Sequence, residues 1–556
     1  MAGLLTAGAL LPFRHGLAQP QAWTPLSYPG IDAHCHVFNG SDLSIRGFIW
    51  NVVIGGHGRT RSLDPYPERS RALNEGLADL VIELLLNNRA PTAEDELRQI
   101  EQNGVSERSV PDRGQQQVLQ LGEALRNTFE GTNRRAPELR LHNDPAMRDM
   151  LRRALEREAF GAERDPSERA LQPGYEDMAA RLLGREFGVG TTFRWVLKFL
   201  RKRGENIEEL VSLYGGEGRI KLFCPALVDF AQWLSDEPLA SVETQISLME
   251  RLQRTDRSAM IHSFVPFDPW RQINDGEDHT ARTALDLIKW AIADMGFIGV
   301  KLYPPMGFRP AGNEGAGLSY PRNATDRYGA SFPGRLDTVL KDLYRWAAEE
   351  DVPIMAHAAN SQGAGTNYAE RAFPGWWRDV LRAHPKLRLN LAHLGGFNPV
   401  PEPGSPVQTW ESTIGGMIKD DGFLNLYADL SYFSDILSDP TRMGENASDE
   451  VEEHSVPDLR ILMTKYLADF DPEVDHLLYG CDWIMLGREA DCKSYLEKLD
   501  EFLGSIGVHD QKRKKLFGEN AARFLGLRRG NKTRDRLNAY YTKHGLDKTK
   551  LEAFDV

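Results

Sequence analysis

Apolar residues recur along the chain in short unbroken runs, at 30–38, 219–229, 258–267, 297–304, 352–359, 387–394, 423–431 and 476–484. Strands buried on both faces require continuous apolar runs of this kind rather than alternating ones. Between the later runs lie stretches with helical spacing of apolar positions, at 280–295, 334–350, 374–384 and 456–469. Strand followed by helix, repeated, predicts an α/β fold of parallel strands closed as a (β/α)8 barrel. One connection breaks the rhythm. The segment 40–218, between the first and second strands, is too long for a structureless loop. Its helical stretches at 71–86, 113–129, 145–158 and 193–203, separated by Gly-, Pro- and Asp-rich breaks, predict a helical subdomain over the barrel mouth.

The expected organisation is an N-terminal arm or signal-like segment at 1–29, a barrel at 30–39 and 219–527, the helical insertion at 40–218, and a polar C-terminal helix or tail at 528–556. The piece 193–203 (FRWVLKFLRKR) is amphipathic and basic. It reads as a lid helix with a solvated basic face, with a membrane-surface helix as the alternative.

Composition removes several function classes. Among 556 residues, 41% are hydrophobic and 26% charged, as in ordinary soluble proteins. No segment approaches the about 18 apolar residues of a membrane span, so no integral membrane segment is expected. A net charge of −13 excludes a general nucleic-acid surface, which draws its affinity from clustered Lys and Arg. Four cysteines are too few for a disulfide scaffold. The start of the chain, 1–12, is small and apolar, and Gly16-Leu17-Ala18 before Gln19 resembles a signal-peptidase site, although Arg14 follows the apolar run instead of preceding it. A periplasmic or exported protein with a truncated signal is one expectation; a cytoplasmic one with an N-terminal arm is the other. The expected partner is a small-molecule substrate, and a homo-oligomer is left open.

In a barrel the chemistry sits at the C-terminal ends of the strands. The first run carries His34 and His36, two residues apart and so on one side of a strand, where both can grip one cation. Cys35 faces the other way, as packing. The fourth run ends in Lys301, the fifth in His357, the sixth in His393 and the eighth in Asp482. His262 sits mid-strand with no partner pattern, a packing residue or a site residue with equal weight. A lone histidine after apolar residues is usually a core residue; several at successive strand ends are not coincidence.

HxH on the first strand, a His on each of the fifth and sixth, and an Asp on the eighth resemble the amidohydrolase superfamily of TIM-barrel, metal-dependent hydrolases. The stretch GENAARFLGL at 518–527 is similar to the closing segment of the amidohydrolase-related branch, which also holds the zinc decarboxylases. The resemblance implies that His34, His36, His357 and Asp482 ligate one divalent metal, and that His393 and Asp482 are catalytic. Three imidazoles and a carboxylate suit Zn²⁺, with Mn²⁺ or Fe²⁺ as alternatives. Lys301 is expected either to bridge a second metal, as in two-metal relatives, or to meet an anionic substrate; one metal is favoured. Tyr303, Arg309 and Trp483, just beyond strand ends, are candidate pocket residues. Asp32 is a candidate to orient a ligand imidazole, Asp429 to line the pocket, and Asn360, Ser361 and the glycines at 363–365 to form a substrate loop. The expected reaction is attack of metal-bound hydroxide on an amide, ester or lactone, with decarboxylation by the same ligands as the alternative and a non-catalytic scaffold as a third reading, against which the intact ligand set argues.

Overall fold

The computed structural model describes residues 25–53, 71–103, 113–130, 144–160, 174–184, 189–216, 219–359, 361, 363–396, 409–437, 456–489 and 491–555. Residues 1–24 of the N-terminal arm or signal-like segment, Asn360 and Gln362 fall outside them. The described strands are β1 (Gly30–Cys35), β2 (Ile220–Pro225), β3 (Met260–Ile261), β4 (Phe264–Pro266), β5 (Gly299–Leu302), β6 (Ile354–Ala359), β7 (Leu389–Gly395), β8 (Leu426–Asp429) and β9 (Leu477–Leu478). Each of the eight apolar runs contributes to this set. All pairings are parallel, in one sheet ordered β1-β2-β3 and another ordered β4 to β9 in sequence.

The two sheets are hydrogen-bonded to each other at both edges. Leu227 N–H donates to Phe264 O at 3.0 Å on one side. On the other, Ala33 N–H donates to Tyr479 O at 3.0 Å, Asp482 N–H to His34 O at 2.8 Å, and His36 N–H to Trp483 O. The third run is split in two because its middle bonds sideways: Ser263 N–H donates to the Gln253 side chain at 2.8 Å rather than to a neighbouring strand.

Between β1 and β2 lie the expected helices Arg71–Asn87, Arg113–Phe129 and Pro145–Phe160, together with Ala93–Asn103 and Tyr175–Gly184. Leu80, Leu125, Leu155, Trp195 and Phe199 from this segment share one buried cluster with Phe38, Trp483 and Leu486 beside the strands. The piece 193–203 departs from expectation. It is not one helix with a solvated basic face: Val189–Lys198 ends, and Arg203–Tyr214 begins after a turn. Three of its cations are held by carboxylates outside the piece. Lys198 and Arg201 both bond Glu209 at 2.5 Å, and Arg203, 1% exposed, bonds Asp42 and Glu96. Among the described residues no helix is long and apolar enough to cross a membrane.

The C-terminal residues are polar in composition yet firmly docked. Helices Lys532–His544 and Thr549–Glu552 and the turn Ala553–Asp555 bury Leu537, Tyr540, Tyr541, Leu551 and Phe554 in a second cluster with Ile31, Leu222, Phe264, Met355 and Leu478 of the strands. His262 belongs here as packing. Its Nδ1 bonds Gly296 O at 2.8 Å and its Nε2 bonds the Tyr541 hydroxyl at 3.0 Å, so a neutral ring with Nδ1–H satisfies both contacts. Burial pushes its pKa down from 6.5 to about 4. Between those values the unfolded chain binds the proton and the folded chain does not. Stability from this group is therefore complete above pH 6.5 and lost as pH falls toward 4. The full loss is about 3 kcal/mol. Urea unfolding across this window is expected to give a shallower pH dependence for His262→Gln than for the unaltered protein; identical slopes would contradict the assignment.

Candidate metal centre

The site is built at and just past the ends of β1, β7, β8 and β9. His34 and His36 lie on one side of β1, as their spacing requires, and their rings stand 5.4 Å apart. Each ring is anchored by Nδ1. His36 Nδ1 bonds Ala226 O at 2.8 Å; His34 Nδ1 bonds Asp429 Oδ2 at 3.1 Å and the Ser431 hydroxyl at 2.9 Å. This leaves both Nε2 atoms directed at Asp482, whose Oδ1 lies 3.3 Å from His36 and 3.8 Å from His34. These three donors fall within 4.8 Å of one another, as do donors of His34, His393 and Asp429. Carbonyl or carboxylate behind a ring and Nε2 turned toward a facing carboxylate is how metal-binding histidines are oriented, and at His34 the Lys301 amine shares that face. The donor set and its anchoring therefore fit a divalent ion.

Backbone conformation contributes to this convergence. Asp482 and His393 take left-handed conformations, φ 54° and φ 70°, which non-glycine residues adopt at a cost. The bend at His393 turns its N–H onto Asp429 Oδ1 at 3.0 Å and its Nδ1 toward Ser431. Gly480 is required by a close approach: a Cβ there would meet His34 Cβ at 2.8 Å.

Asp429 is the hub beneath the histidines. It is fully buried and accepts from Asn390 Nδ2 (2.7 Å), His393 N, Ser431 N and hydroxyl, and His34 Nδ1. Burial alone would raise its pKa, but the bonded His34 and nearby His393 hold it far below the usual carboxylate range. It props the imidazoles. Asp32, expected to orient an imidazole, bonds backbone instead, accepting from His34 N–H at 3.1 Å and Cys481 N–H at 3.3 Å. Burial pushes it up to about 7.

Lys301 Nζ lies 3.0 Å from His34 Nε2. Burial brings the Lys301 amine down to about 8; burial, reinforced by Lys301, takes His34 down to about 4. For Asp482 burial acts upward, and the His36 bond and neighbouring imidazoles outweigh it, so its pKa is lowered. His357 stands outside both three-donor groups. Its Nδ1 faces His393 Nε2 at 3.1 Å, its Nε2 faces the Ser361 hydroxyl at 2.6 Å, and the Tyr303 ring lies alongside, centroids 4.5 Å apart. Burial, with the charges of His393 and Lys301, keeps His357 neutral well below its ordinary pKa. Arg309 stacks on Trp376, 3.9 Å from its ring. Trp483 is fully buried, with Lys198 Nζ 4.4 Å over its ring. Ser431 and Asn390 carried no expectation; Ser431 lies two residues past Asp429, on the same side, and Asn390 is a polar interruption of an apolar run.

Residues 274–527 match the amidohydrolase family model, a span that includes Lys301, His357, His393 and Asp482 but neither His34 nor His36. Among solved structures, an amidohydrolase from Burkholderia multivorans with bound zinc is 14% identical, with 57% of this chain and 87% of that chain covered and a TM-score of 0.34. A TIM-barrel protein from Bordetella bronchiseptica is 13% identical over 58% of this chain and 81% of that one, TM-score 0.33. A structure named for metal-dependent hydrolase activity, from Lactobacillus casei, is 13% identical over 90% and 96%, TM-score 0.32. Among curated proteins none matches.

Proposed function

For a chain whose residues 274–527 match the amidohydrolase family model, we propose a metal-dependent hydrolase that cleaves an amide, ester or lactone at a single divalent ion, Zn²⁺ by preference. The observation that carries the proposal is the convergence of His34 Nε2, His36 Nε2 and Asp482 Oδ1 with both Nδ1 atoms already engaged. The two sets of hydrogen bonds between the sheets support a closed barrel with the helices of 40–218 inserted after β1.

A divalent ion in this position supplies Lewis-acid chemistry, acidifying a water and polarising a carbonyl. The protein's part is orientation and proton handling. His34 and His36, held by Asp429 and the Ala226 carbonyl, present their Nε2 atoms as ligands. Asp482 takes the proton of the attacking water on its second carboxylate oxygen and returns it to the leaving group. His393, fixed by Ser431, stabilises the negative charge that develops on the carbonyl oxygen. His357 stands beside His393 as the further imidazole, and Lys301 is the cation available to an anionic group on the substrate.

Protein purified without chelator is expected to carry about one zinc per chain by elemental analysis and to hydrolyse at least one member of an ester, lactone and amide panel. Release of CO₂ from aromatic acids with no hydrolysis would replace this reading with a decarboxylase, and absence of bound metal would end both.

A further inference from the structure

His36 and Asp482 lie past the last residues of their strands, since β1 ends at Cys35 and β9 at Leu478. Backbone bonds from Asp482 N–H to His34 O at 2.8 Å and from His36 N–H to Trp483 O join the two segments, but beyond Trp483 and His36 the loops need other support. Residues 195–203 of the segment between β1 and β2 touch both loops. The Trp195 indole N–H donates to Ile484 O at 3.1 Å, two residues beyond Asp482. Lys198, lying over Trp483, is held in place by Glu209. In the turn that follows, Phe199 O accepts from Gly40 N–H at 2.8 Å, and Arg201 O accepts from Asn39 Nδ2 at 2.9 Å, three residues beyond His36. Arg203 then bonds Asp42 Oδ2 at 2.7 Å and the Ser41 hydroxyl at 2.8 Å. Trp195 and Asn39 are fully buried, so water cannot substitute for their bonds.

We infer that this turn is a clasp that braces the two loops and so steadies the spacing of His36 against Asp482, and that Trp195 and Asn39 are positioning residues of the metal centre. The inference rests on the metal reading proposed above. It gives the long segment after β1 a role in completing the site as well as covering it. The chain turns at 199–202 instead of continuing as a helix, and the turn leaves the carbonyls of Phe199 and Arg201 free to accept from the β1 loop.

The test is cobalt(II) binding to the full chain, read as a dissociation constant and as the visible absorption spectrum of the bound ion. Trp195→Phe keeps an aromatic ring and removes the indole N–H; Asn39→Ala removes the bond to Arg201 O together with those to Pro91 O and Ser41. Both are expected to weaken cobalt by about 10–100-fold, the range for residues that orient metal ligands, and to shift its spectrum. Arg126→Gln, which breaks an exposed pair with Glu176 at 2.7 Å within the same segment, is the control and is expected to leave both unchanged. Unaltered constants and spectra in Trp195→Phe and Asn39→Ala would overturn the clasp, as would equal weakening in the control, which would mean general loosening. If the unaltered protein binds no cobalt, the metal reading falls and takes the clasp with it.

Discussion

Asp482→Ala is expected to lose bound metal and to reduce kcat/KM on any substrate the protein hydrolyses by at least about a thousandfold, within the range for removing a general base. Two losses combine. The variant lacks the only carboxylate oxygen in the group formed with His34 and His36, and it lacks the proton carrier. Asp482→Asn separates them. Asparagine retains an oxygen donor and tolerates the left-handed backbone at φ 54°, but it cannot take a proton. It is expected to recover part of the metal by elemental analysis with turnover still at the level of the alanine variant. Full activity in either variant would remove Asp482 from the chemistry.

The second large effect is on stability. Arg203, 1% exposed, is bound by Asp42 and Glu96, both also buried. Burial raises the Glu96 pKa, and the Arg203 charge and bonds offset part of that rise. Arg203→Met leaves two buried carboxylates facing an apolar side chain. A loss of about 3–5 kcal/mol is expected in urea unfolding, the range for breaking a buried ion pair from one side. Adding Asp42→Asn and Glu96→Gln to Arg203→Met should return much of it, because the cost arises from uncompensated charge. A loss below about 1 kcal/mol would place Arg203 among the ordinary surface pairs.

Much of this was legible in the sequence. Apolar runs located every strand among the described residues, because strands buried on both faces leave few polar positions to blur the signal. His34, His36 and Asp482 were visible as ionisable residues closing such runs. What the sequence concealed depends on contacts between distant residues. Asp429 reads as one more polar residue near a strand end, and only the fold shows five donors gathered on it. The basic residues of 193–203 suggested a wet face because their partners Glu96, Glu209 and Asp42 are spread through the insertion and the β1 loop. His262 declared its packing role only through Tyr541, far along the chain. The departure of His393 from regular strand geometry leaves no periodic trace.

The docking of the C-terminal helices beneath the strands has a consequence for how the molecule is made. The Tyr28 hydroxyl bonds Phe554 O at 3.1 Å, across 526 positions of sequence. At translation rates of about 5–20 residues per second, that separation corresponds to a delay on the order of a minute. During it, β1 has neither the β9 loop nor the terminal helices against it. β1 and the residue just past it, which carry two of the three converging donors, are thus sealed late, and metal loading is expected only after Asp482 has been made.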